Sequence, residues 1–428
     1  MGPCLIFDKS FLQSLNPDES LWLDNFFNTN ITPLFFVETL ADLEKEIKNG
    51  RSQEDIVGSL AYKTPDMSAR PNVHHITLLE GELMAHKEVH MTGKPIISGG
   101  QPVKVGDKVG VIFDESPEEK AFSRWQKGEF MEAERLYAKA WREVLLNINL
   151  SDKYILFQKY FTEARPKTLA DVRVMAEKII NSEEDTENTL IFGLWLVGVP
   201  FSDHKNIVDY WKSKGSVKIS EFAPYFYYVF LVDMFFYLGI AADLISRGRA
   251  SHKIDLAYLY YLPFCNIFVS GDKLHKEIAP HFIKGDQIFI YGPELKADLK
   301  LIDEHYSELP DEIKAKGVSS FAMFPPSDKQ FIVCSLWDKY MAKDWRNRNF
   351  NMKPQPRTPA AEFISNEIKE MQNKANFLGP ESVVDLEDAN SIVIKRMVRG
   401  TKGKWKRFPP EVMNRTKDEN GDWVDKNI

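Results

Sequence analysis

Cysteine is scarce in this sequence, and the few cysteines are far apart. Among 428 residues there are three, Cys4, Cys265 and Cys334, and no two of them stand at the C-x-x-C spacing. This distribution argues against a disulfide framework and against a zinc knuckle. It fits the reducing interior of a cell, so we expect a cytoplasmic protein.

Two motifs of nucleotide hydrolysis and acyl transfer are also missing. The chain has no G-x-x-x-x-G-K-[ST] segment and no G-x-S-x-G segment, so neither a P-loop ATPase nor a hydrolase with a nucleophile elbow is indicated. A strong positive charge is absent too, because the formal net charge is −7. Any surface for nucleic acid must therefore be local.

Long apolar runs are limited to one segment, residues 222–242. Its length would suffice for a membrane span. However, Pro224 stands near its start and Asp233 in its middle, and no second span accompanies it. We interpret it as a buried helix of a globular core, and we expect no membrane association.

Strand patterns and helical patterns alternate in two parts of the chain, residues 1–60 and 217–310. The apolar run at residues 4–7 is typical of a strand, and helix starts follow near residues 16 and 32. Later segments repeat the order helix, strand, helix, strand at residues 251–262, 264–270, 273–281 and 287–291. This alternation predicts an α/β fold in which helices cover both faces of a parallel sheet.

Residues 61–216 interrupt the alternation. Alternating valines around Gly106-Asp107 predict a β-hairpin, and helical patterns follow from Glu118. Part of the helical region resembles one tetratricopeptide-type hairpin, but no second copy follows at a period of about 34 residues. We predict that 1–60 and 217–310 are two parts of one α/β domain, that 61–216 is a mostly helical insert, and that 311–428 is a C-terminal extension.

The C-terminal extension carries the strongest local positive charge. Residues 395–407 contain seven basic residues and no acid, with Trp405 among them. Basic and aromatic side chains together suit a nucleic-acid backbone, so we expect this segment to help seat a substrate. Elsewhere in the extension we predict a strand at 330–335 and a helix at 360–376.

Acidic residues follow the strand patterns at two places. Asp8 ends the first strand, and Asp272 follows the strand at 264–270. Asp255 stands near the start of the helix before that strand, while Glu38 and Asp42 share one helix face. Carboxyl ends of parallel strands meet at one edge of a sheet, and converging carboxylates are the ligands that Mg²⁺ prefers. The sequence therefore predicts an acidic site at this edge.

This order of acids resembles that of the PIN-domain nuclease superfamily. The matching segments are Ile6-Phe7-Asp8-x-Ser10, Pro33-x-x-x-x-Glu38-x-x-x-Asp42, Asp255-x-x-Tyr258 and Phe268-Val269-Ser270-Gly271-Asp272-Lys273. They lie within residues 3–50 and 220–295. The resemblance implies a three-layer α/β/α fold with a parallel central sheet. It also implies a metal-dependent nuclease, since PIN proteins are mostly ribonucleases.

The resemblance also implies roles for particular acids. Asp8, Glu38, Asp255 and Asp272 would be the catalytic acids and would bind Mg²⁺ or Mn²⁺, with Asp42 as an additional ligand. Any one of these acids by itself is more often structural than catalytic. Their joint order is what favours the site.

Five residues are candidate substrate contacts, namely Ser10, Arg249, His252, Ser270 and Lys273. Ser270 corresponds to the hydroxyl residue that the family has before its last acid. His252 shares a helix face with the third acid, and Arg249 and Lys273 flank the site where they can contact phosphate. For His252, Arg249 and Lys273, an ordinary solvated surface position explains the residue equally well.

We therefore expect a cytoplasmic nuclease that depends on Mg²⁺ or Mn²⁺ and hydrolyses phosphodiester bonds, in RNA rather than in DNA. The alternative is a PIN-like scaffold without activity, whose helical insert binds a protein partner or a second copy of the chain. A third hypothesis is a haloacid-dehalogenase-like hydrolase with Asp8 as nucleophile. Ser10 stands where that family has its second acid, which argues against it.

Overall fold

The computed structural model describes most of the chain up to residue 347 and short segments after it. The described residues are 2–47, 50–67, 69–97, 100–105, 108–113, 117–146, 150–161, 165–249, 251–326, 330–347, 376–377, 391–393, 398–409, 415–417 and 423–425. The strands are β1 (Cys4–Phe7), β2 (Asn28–Ile31), β3 (Arg70–Pro71), β4 (Gly100–Val105), β5 (Lys108–Phe113), β6 (Ile267–Ser270), β7 (Ile288–Tyr291), β8 (Asn376–Phe377), β9 (Ser391–Val393), β10 (Thr401–Lys402), β11 (Trp405–Lys406), β12 (Arg415–Lys417) and β13 (Trp423–Asp425).

The helices are α1 (Lys9–Ser14), α2 (Pro17–Phe26), α3 (Pro33–Ile47), α4 (Gln53–Lys63), α5 (His75–Leu83), α6 (Pro117–Gln126), α7 (Glu132–Leu146), α8 (Leu150–Gln158), α9 (Leu169–Ile180), α10 (Thr186–Leu196), α11 (Phe201–Ser213), α12 (Ile219–Phe222), α13 (Pro224–Ala241), α14 (His252–Ala257), α15 (Lys273–Ile278), α16 (Gly292–Ser307), α17 (Asp311–Lys314), α18 (Val318–Phe321) and α19 (Ile332–Tyr340). Short 3₁₀ helices cover Tyr258–Phe264, Ala279–His281 and Trp345–Asn347.

A five-stranded parallel sheet organises the fold. Its strand order is β3-β2-β1-β6-β7, and each neighbouring pair is parallel. In the central strand, Ile6 lies opposite Asn30 of β2 and opposite Phe268 of β6. The predicted α/β fold with a parallel sheet is confirmed. The sheet also includes β3, which lies beyond residue 60. This strand was not predicted, because two residues are too few to show a periodic pattern in the sequence.

Both faces of the sheet are covered, because successive residues of a strand point to opposite sides. Ile6 of β1 and Phe268 of β6 belong to one apolar core, whereas Phe7 and Val269 belong to a second. The first core includes α13, and the second includes residues of α2, α3 and α16. Strands buried on both faces read as continuous apolar runs, which is the pattern of residues 4–7 and 267–269.

Helix α13 lies at the centre of the first core. It is long and apolar enough to cross a membrane, but 89% of it is buried inside the protein. Helices α5, α8, α9 and α10 pack against it. The predicted buried helix is therefore confirmed, and the helical insert shares one continuous core with the sheet.

Two local predictions need correction, and a third is confirmed. The strand predicted at 330–335 is wrong, because this segment leads into helix α19. The backbone N–H groups of Ile332 (2.8 Å) and Val333 (2.9 Å), at the start of that helix, donate to the Asp298 carboxylate. The helix predicted at 251–262 is shorter, since α14 passes into a 3₁₀ helix at Tyr258. The hairpin predicted around residues 106–107 is confirmed by the antiparallel pairing of β4 with β5.

The helix predicted at 360–376 lies outside the described residues, except that residue 376 begins β8. The first three residues of the basic segment also lie outside the described part of the chain.

The described part of the basic segment is only partly exposed. Arg407 is buried and pairs with Asp24 at 2.7 Å and with Asp66 at 2.5 Å. The buried Lys402 ammonium donates to the backbone carbonyl of Lys63 at 3.1 Å. The acceptors of both cations lie within residues 24–66, more than 300 positions earlier in the sequence. Arg407 and Lys402 therefore attach the C-terminal extension to the N-terminal part of the chain.

Candidate active site

The acidic site, which we define as Asp8, Glu38, Asp255 and Asp272, lies at the carboxyl ends of β1 and β6. These strands are neighbours at the point where the chain order of the sheet reverses, since β2 and β3 lie on one side of β1 and β7 lies beyond β6. The backbone N–H of Asp8 donates to the carbonyl of Val269 at 3.2 Å. In open α/β sheets this reversal point is where ligands bind.

Asp8 is held by hydrogen bonds from several directions. Its Oδ1 accepts from the backbone N–H of Phe11 at 2.9 Å, so Asp8 is the N-cap of α1. Its Oδ2 accepts from the hydroxyls of Ser10 at 2.7 Å and Ser270 at 2.6 Å. Burial alone would raise the pKa of Asp8, but His275 and the two serines outweigh it and lower that pKa. Asp8 is therefore a buried, ionised and fixed carboxylate.

His275 is the buried cation of the site. Its Nε2 lies 2.6 Å from the backbone carbonyl of Asp255, which can only accept a hydrogen bond. Its Nδ1 lies 2.7 Å from the hydroxyl of Ser270, which gives its own proton to Asp8. Both ring nitrogens must therefore carry protons. Burial would lower the pKa of His275, but the hydrogen bond and charge of Asp8 raise it to about 9.

Sequence reasoning missed His275 because its role depends on distant partners. The residue follows Ser270 by five positions, and α15 begins directly after Asp272, so its first turn points the ring back toward the end of β6. A histidine one helical turn past a strand-end acid was the available signal. By itself that pattern is too common to predict a contact with Asp8.

Glu38 approaches the site from α3. Its Oε2 accepts a hydrogen bond of 2.7 Å from the hydroxyl of Tyr258. Burial raises the pKa of Glu38 to about 8; the charge of Lys9 opposes this rise, and the charges of Asp8 and Asp255 add to it. Glu38 therefore exchanges its proton near neutral pH.

Asp255 lies within the short helix α14, and Asp272 directly precedes the short helix α15. Asp272 is the N-cap of α15, because its Oδ1 accepts from the N–H of Leu274 at 2.6 Å. Burial raises the pKa of Asp255 to about 7, His275 opposes the rise, and the charges of Asp272 and Asp8 contribute to it. The charges of Asp8 and Asp255 thus act on Glu38, and those of Asp272 and Asp8 act on Asp255.

Asp42, the predicted additional ligand, has a different partner. The ammonium of Lys9 lies 2.8 Å from Asp42 and 3.0 Å from Glu46, and the Lys9 side chain is only 3% exposed. Burial would lower the pKa of Lys9, but Asp42 and Glu38 raise it. Lys9 was not predicted to take part, and it supplies a second internal positive charge beside the acids.

The predicted substrate contacts separate into two groups. Ser10 and Ser270 are bonded to Asp8 inside the site, as described above. His252 is buried, and its Nδ1 lies 3.1 Å from the carbonyl of Ser246, while burial lowers its pKa. Arg249 and Lys273 are exposed at the rim.

The donor atoms of the acidic site suit a hard divalent cation. In the described part of the chain, Glu38 and Asp272 each keep one carboxylate oxygen without a hydrogen-bond donor, and Asp255 keeps both. Burial and the charges of neighbouring acids raise the pKa values of Glu38 and Asp255, and a bound cation would oppose both effects. Within the same residues, however, no three His, Cys, Asp or Glu side chains lie close enough to form a ready-made metal-binding group. The residue types fit Mg²⁺ or Mn²⁺, and the side chains would have to draw closer around the ion.

Comparisons with known proteins add nothing to this geometry. The chain matches no protein-family model, no curated protein and no solved structure.

Proposed function

We propose that this chain is a PIN-like nuclease of the cytoplasm, which uses Mg²⁺ or Mn²⁺ to hydrolyse phosphodiester bonds, in RNA rather than in DNA. The observation that carries the proposal is that four carboxylates from separate elements come to the carboxyl ends of β1 and β6, near enough for charge to act between them. Asp8 follows β1, Glu38 lies on α3, Asp255 on α14, and Asp272 follows β6. Two of them have pKa values raised to about 7 and about 8. Perturbed acids at a ligand-binding edge are typical of functional sites.

The sheet supports the PIN-like part of the proposal. Its parallel strands and central β1 agree with the three-layer α/β/α arrangement that the sequence resemblance implies. The preference for RNA rests on that resemblance alone.

The chain's own residues would divide the work as follows. Asp8, Glu38, Asp255 and Asp272 would hold the cation through carboxylate oxygens. When bound, Mg²⁺ or Mn²⁺ supplies Lewis-acid activation of water and neutralises charge on the phosphate. Ser10 and Ser270 hold Asp8 in one orientation, as does His275 through its contact with Ser270. Glu38 and Asp255 exchange their protons near neutral pH, and so can carry either a proton or a cation.

The rim provides contacts for an anionic substrate. Arg249 and Lys273 are exposed beside Asp272, and we assign them to the phosphate that is cut or to its neighbour. His252 is buried and hydrogen-bonded within the fold, so its role would be to support α14.

One observation favours a second candidate function, that of a scaffold. Helix α7 of the insert turns its apolar face outward, where Leu136 and Tyr137 are both 61% exposed, Val144 is 54% exposed and Trp141 is 37% exposed. A contiguous exposed apolar face marks an interaction surface. Together with the internal cations Lys9 and His275, it suits a protein that binds a partner through the insert and does not cut nucleic acid.

Cleavage assays separate the two candidates. Labelled single-stranded RNA and DNA are incubated with Mn²⁺ and the unaltered protein, beside Asp8→Asn and Asp272→Asn purified identically. The nuclease proposal predicts Mn²⁺-dependent products that disappear in both variants, while circular dichroism shows that Asp272→Asn keeps the fold. Products that persist in both variants, or no products with any of the three proteins, would contradict it.

A further inference from the structure

The hairpin of β10 and β11 has one buried side and one exposed side. Lys402, Trp405 and Arg407 are buried, whereas Lys404 and Lys406 are exposed. The basic segment therefore presents two cations on its exposed side, and one of them, Lys404, pairs with Asp303 of α16. Alternation along the strand explains why neighbouring residues differ in this way.

The exposed lysines line a cleft. The cavity has a volume of about 350 Å³ and lies between Lys404, Trp405 and Lys406 on the hairpin and Ser307, Asp311 and Lys314 around α17. A cavity of this size accepts a ligand group of several heavy atoms. Three lysines from two separate elements thus face one space.

Two of the three lysines in the cleft have a carboxylate partner. Lys314 lies 2.8 Å from Asp311, whose side chain is 96% exposed, so water screens this pair and the pair is weak. Lys404 lies 2.6 Å from Asp303, which also accepts from the indole N–H of Trp405. Among the described residues, no carboxylate pairs with Lys406. An incoming phosphate can therefore replace Asp311 at small cost.

Helix α16 fixes how far the cleft lies from the acidic site. The helix starts at Gly292, where an added methyl group would lie 3.1 Å from the backbone nitrogen of Gly271, next to Asp272. It ends at Ser307, which lines the cleft. A helix of this length spans roughly 24 Å. At about 3.4 Å per nucleotide of a stacked strand, the separation corresponds to about seven nucleotides.

We propose that this cleft binds a backbone phosphate of a single-stranded nucleic acid, about seven nucleotides from the bond held at the acidic site. The inference rests on the proposed nuclease function for the identity of the ligand. It predicts that the protein prefers substrates long enough to reach both places.

The test measures binding without cleavage. Fluorescence anisotropy in EDTA compares labelled RNA strands of 4 and 16 nucleotides on the unaltered protein and on the Lys314→Gln/Lys406→Gln double variant. We expect the variant to bind the 16-mer about tenfold more weakly at 0.1 M salt, with a shallower salt dependence, and to bind the 4-mer as the unaltered protein does. Lys406 is exposed, and Lys314 is 29% exposed beside an almost fully exposed Asp311, so circular dichroism and thermal unfolding should change little.

A matched control keeps the total charge change the same. Lys178→Gln/Lys205→Gln removes two exposed lysines on α9 and α11, away from the cleft. The inference is overturned if this control weakens 16-mer binding equally, if the 4-mer loses as much as the 16-mer, or if the unaltered protein binds neither strand. Because no cation is present, loss of cleavage in the earlier assay and loss of this length-dependent binding are separate results. Length-dependent binding without any cleavage would keep the cleft and remove the nuclease.

Discussion

The hydroxyl of Ser270 donates a hydrogen bond of 2.6 Å to Oδ2 of Asp8, across 262 positions of sequence. The same hydroxyl accepts from the N–H of Asp272 at 2.9 Å and lies 2.7 Å from Nδ1 of His275. Ser270 therefore connects the two strand ends that carry the acidic site. A buried group with this many partners leaves several of them unsatisfied when it is removed.

Ser270→Ala should lower the free energy of unfolding by about 1–3 kcal/mol at neutral pH, since it leaves the buried Asp8 with one donor fewer. It should also raise the pKa of Asp8. Urea unfolding measures the first effect. Ser10→Ala is the control, because Ser10 is half-buried and water can replace its hydroxyl. An equal or larger loss in the control would contradict the account.

The stability of the metal-free protein should fall as pH rises from about 4 to about 9. Glu38, Asp255 and His275 have folded-state pKa values of about 8, 7 and 9, each above its ordinary value. A group with a raised folded pKa contributes stability that is present below the unfolded pKa and lost as pH rises through the folded one. Unfolding in EDTA at pH 5, 7 and 9 measures this. A free energy of unfolding that is constant or rises would show that these shifts are absent.

Glu38→Gln should stabilise the metal-free protein at pH 8 by about 1–3 kcal/mol, because it removes a buried charge beside two other acids while Gln still accepts from Tyr258. Mn²⁺ should then affect the two proteins differently. It should raise the melting temperature of the unaltered protein and leave that of the variant unchanged, since ions that bind only the folded state stabilise it. Equal Mn²⁺ responses would place the ion elsewhere.

Arg407→Ala should destabilise the protein by about 3–5 kcal/mol, because it leaves the carboxylates of Asp24 and Asp66 buried without their partner. Lys406→Ala, at the neighbouring exposed position, should change the free energy of unfolding by less than about 0.5 kcal/mol. Chemical denaturation of both variants tests the difference. If both substitutions changed the free energy of unfolding by similarly small amounts, Arg407 would not hold the extension to the rest of the chain.

Local features of the fold could be predicted from the sequence. The helix start at Asn16 was predicted from neighbouring residues and is confirmed. The Asn16 side chain accepts a hydrogen bond from the backbone N–H of Glu19 at 2.8 Å, and the Glu19 side chain accepts one from the backbone N–H of Asn16 at 2.8 Å. The positions of Asp8 and Asp272 near strand ends could be predicted in the same way, because each closely follows an apolar strand.

Partners far apart in sequence could not be predicted. The contact of His275 with Asp8 and the ion pair of Arg407 with Asp24 depend on how the fold brings distant segments together. Arg407 and Lys402 looked like exposed cations because nothing near them in sequence indicates a buried acid. A run of basic residues does not reveal which of its members face the core.

The most direct test of the central claim is anomalous diffraction from crystals grown with Mn²⁺. The account predicts a manganese peak at the carboxyl ends of β1 and β6, about 2.0–2.2 Å from carboxylate oxygens of the acidic site, with Asp8 and Asp272 among the ligands. Crystals of Asp272→Asn should lose that peak. A protein that crystallises with Mn²⁺ at other surface sites only, and none at these acids, would contradict the claim that they form a metal-dependent active site.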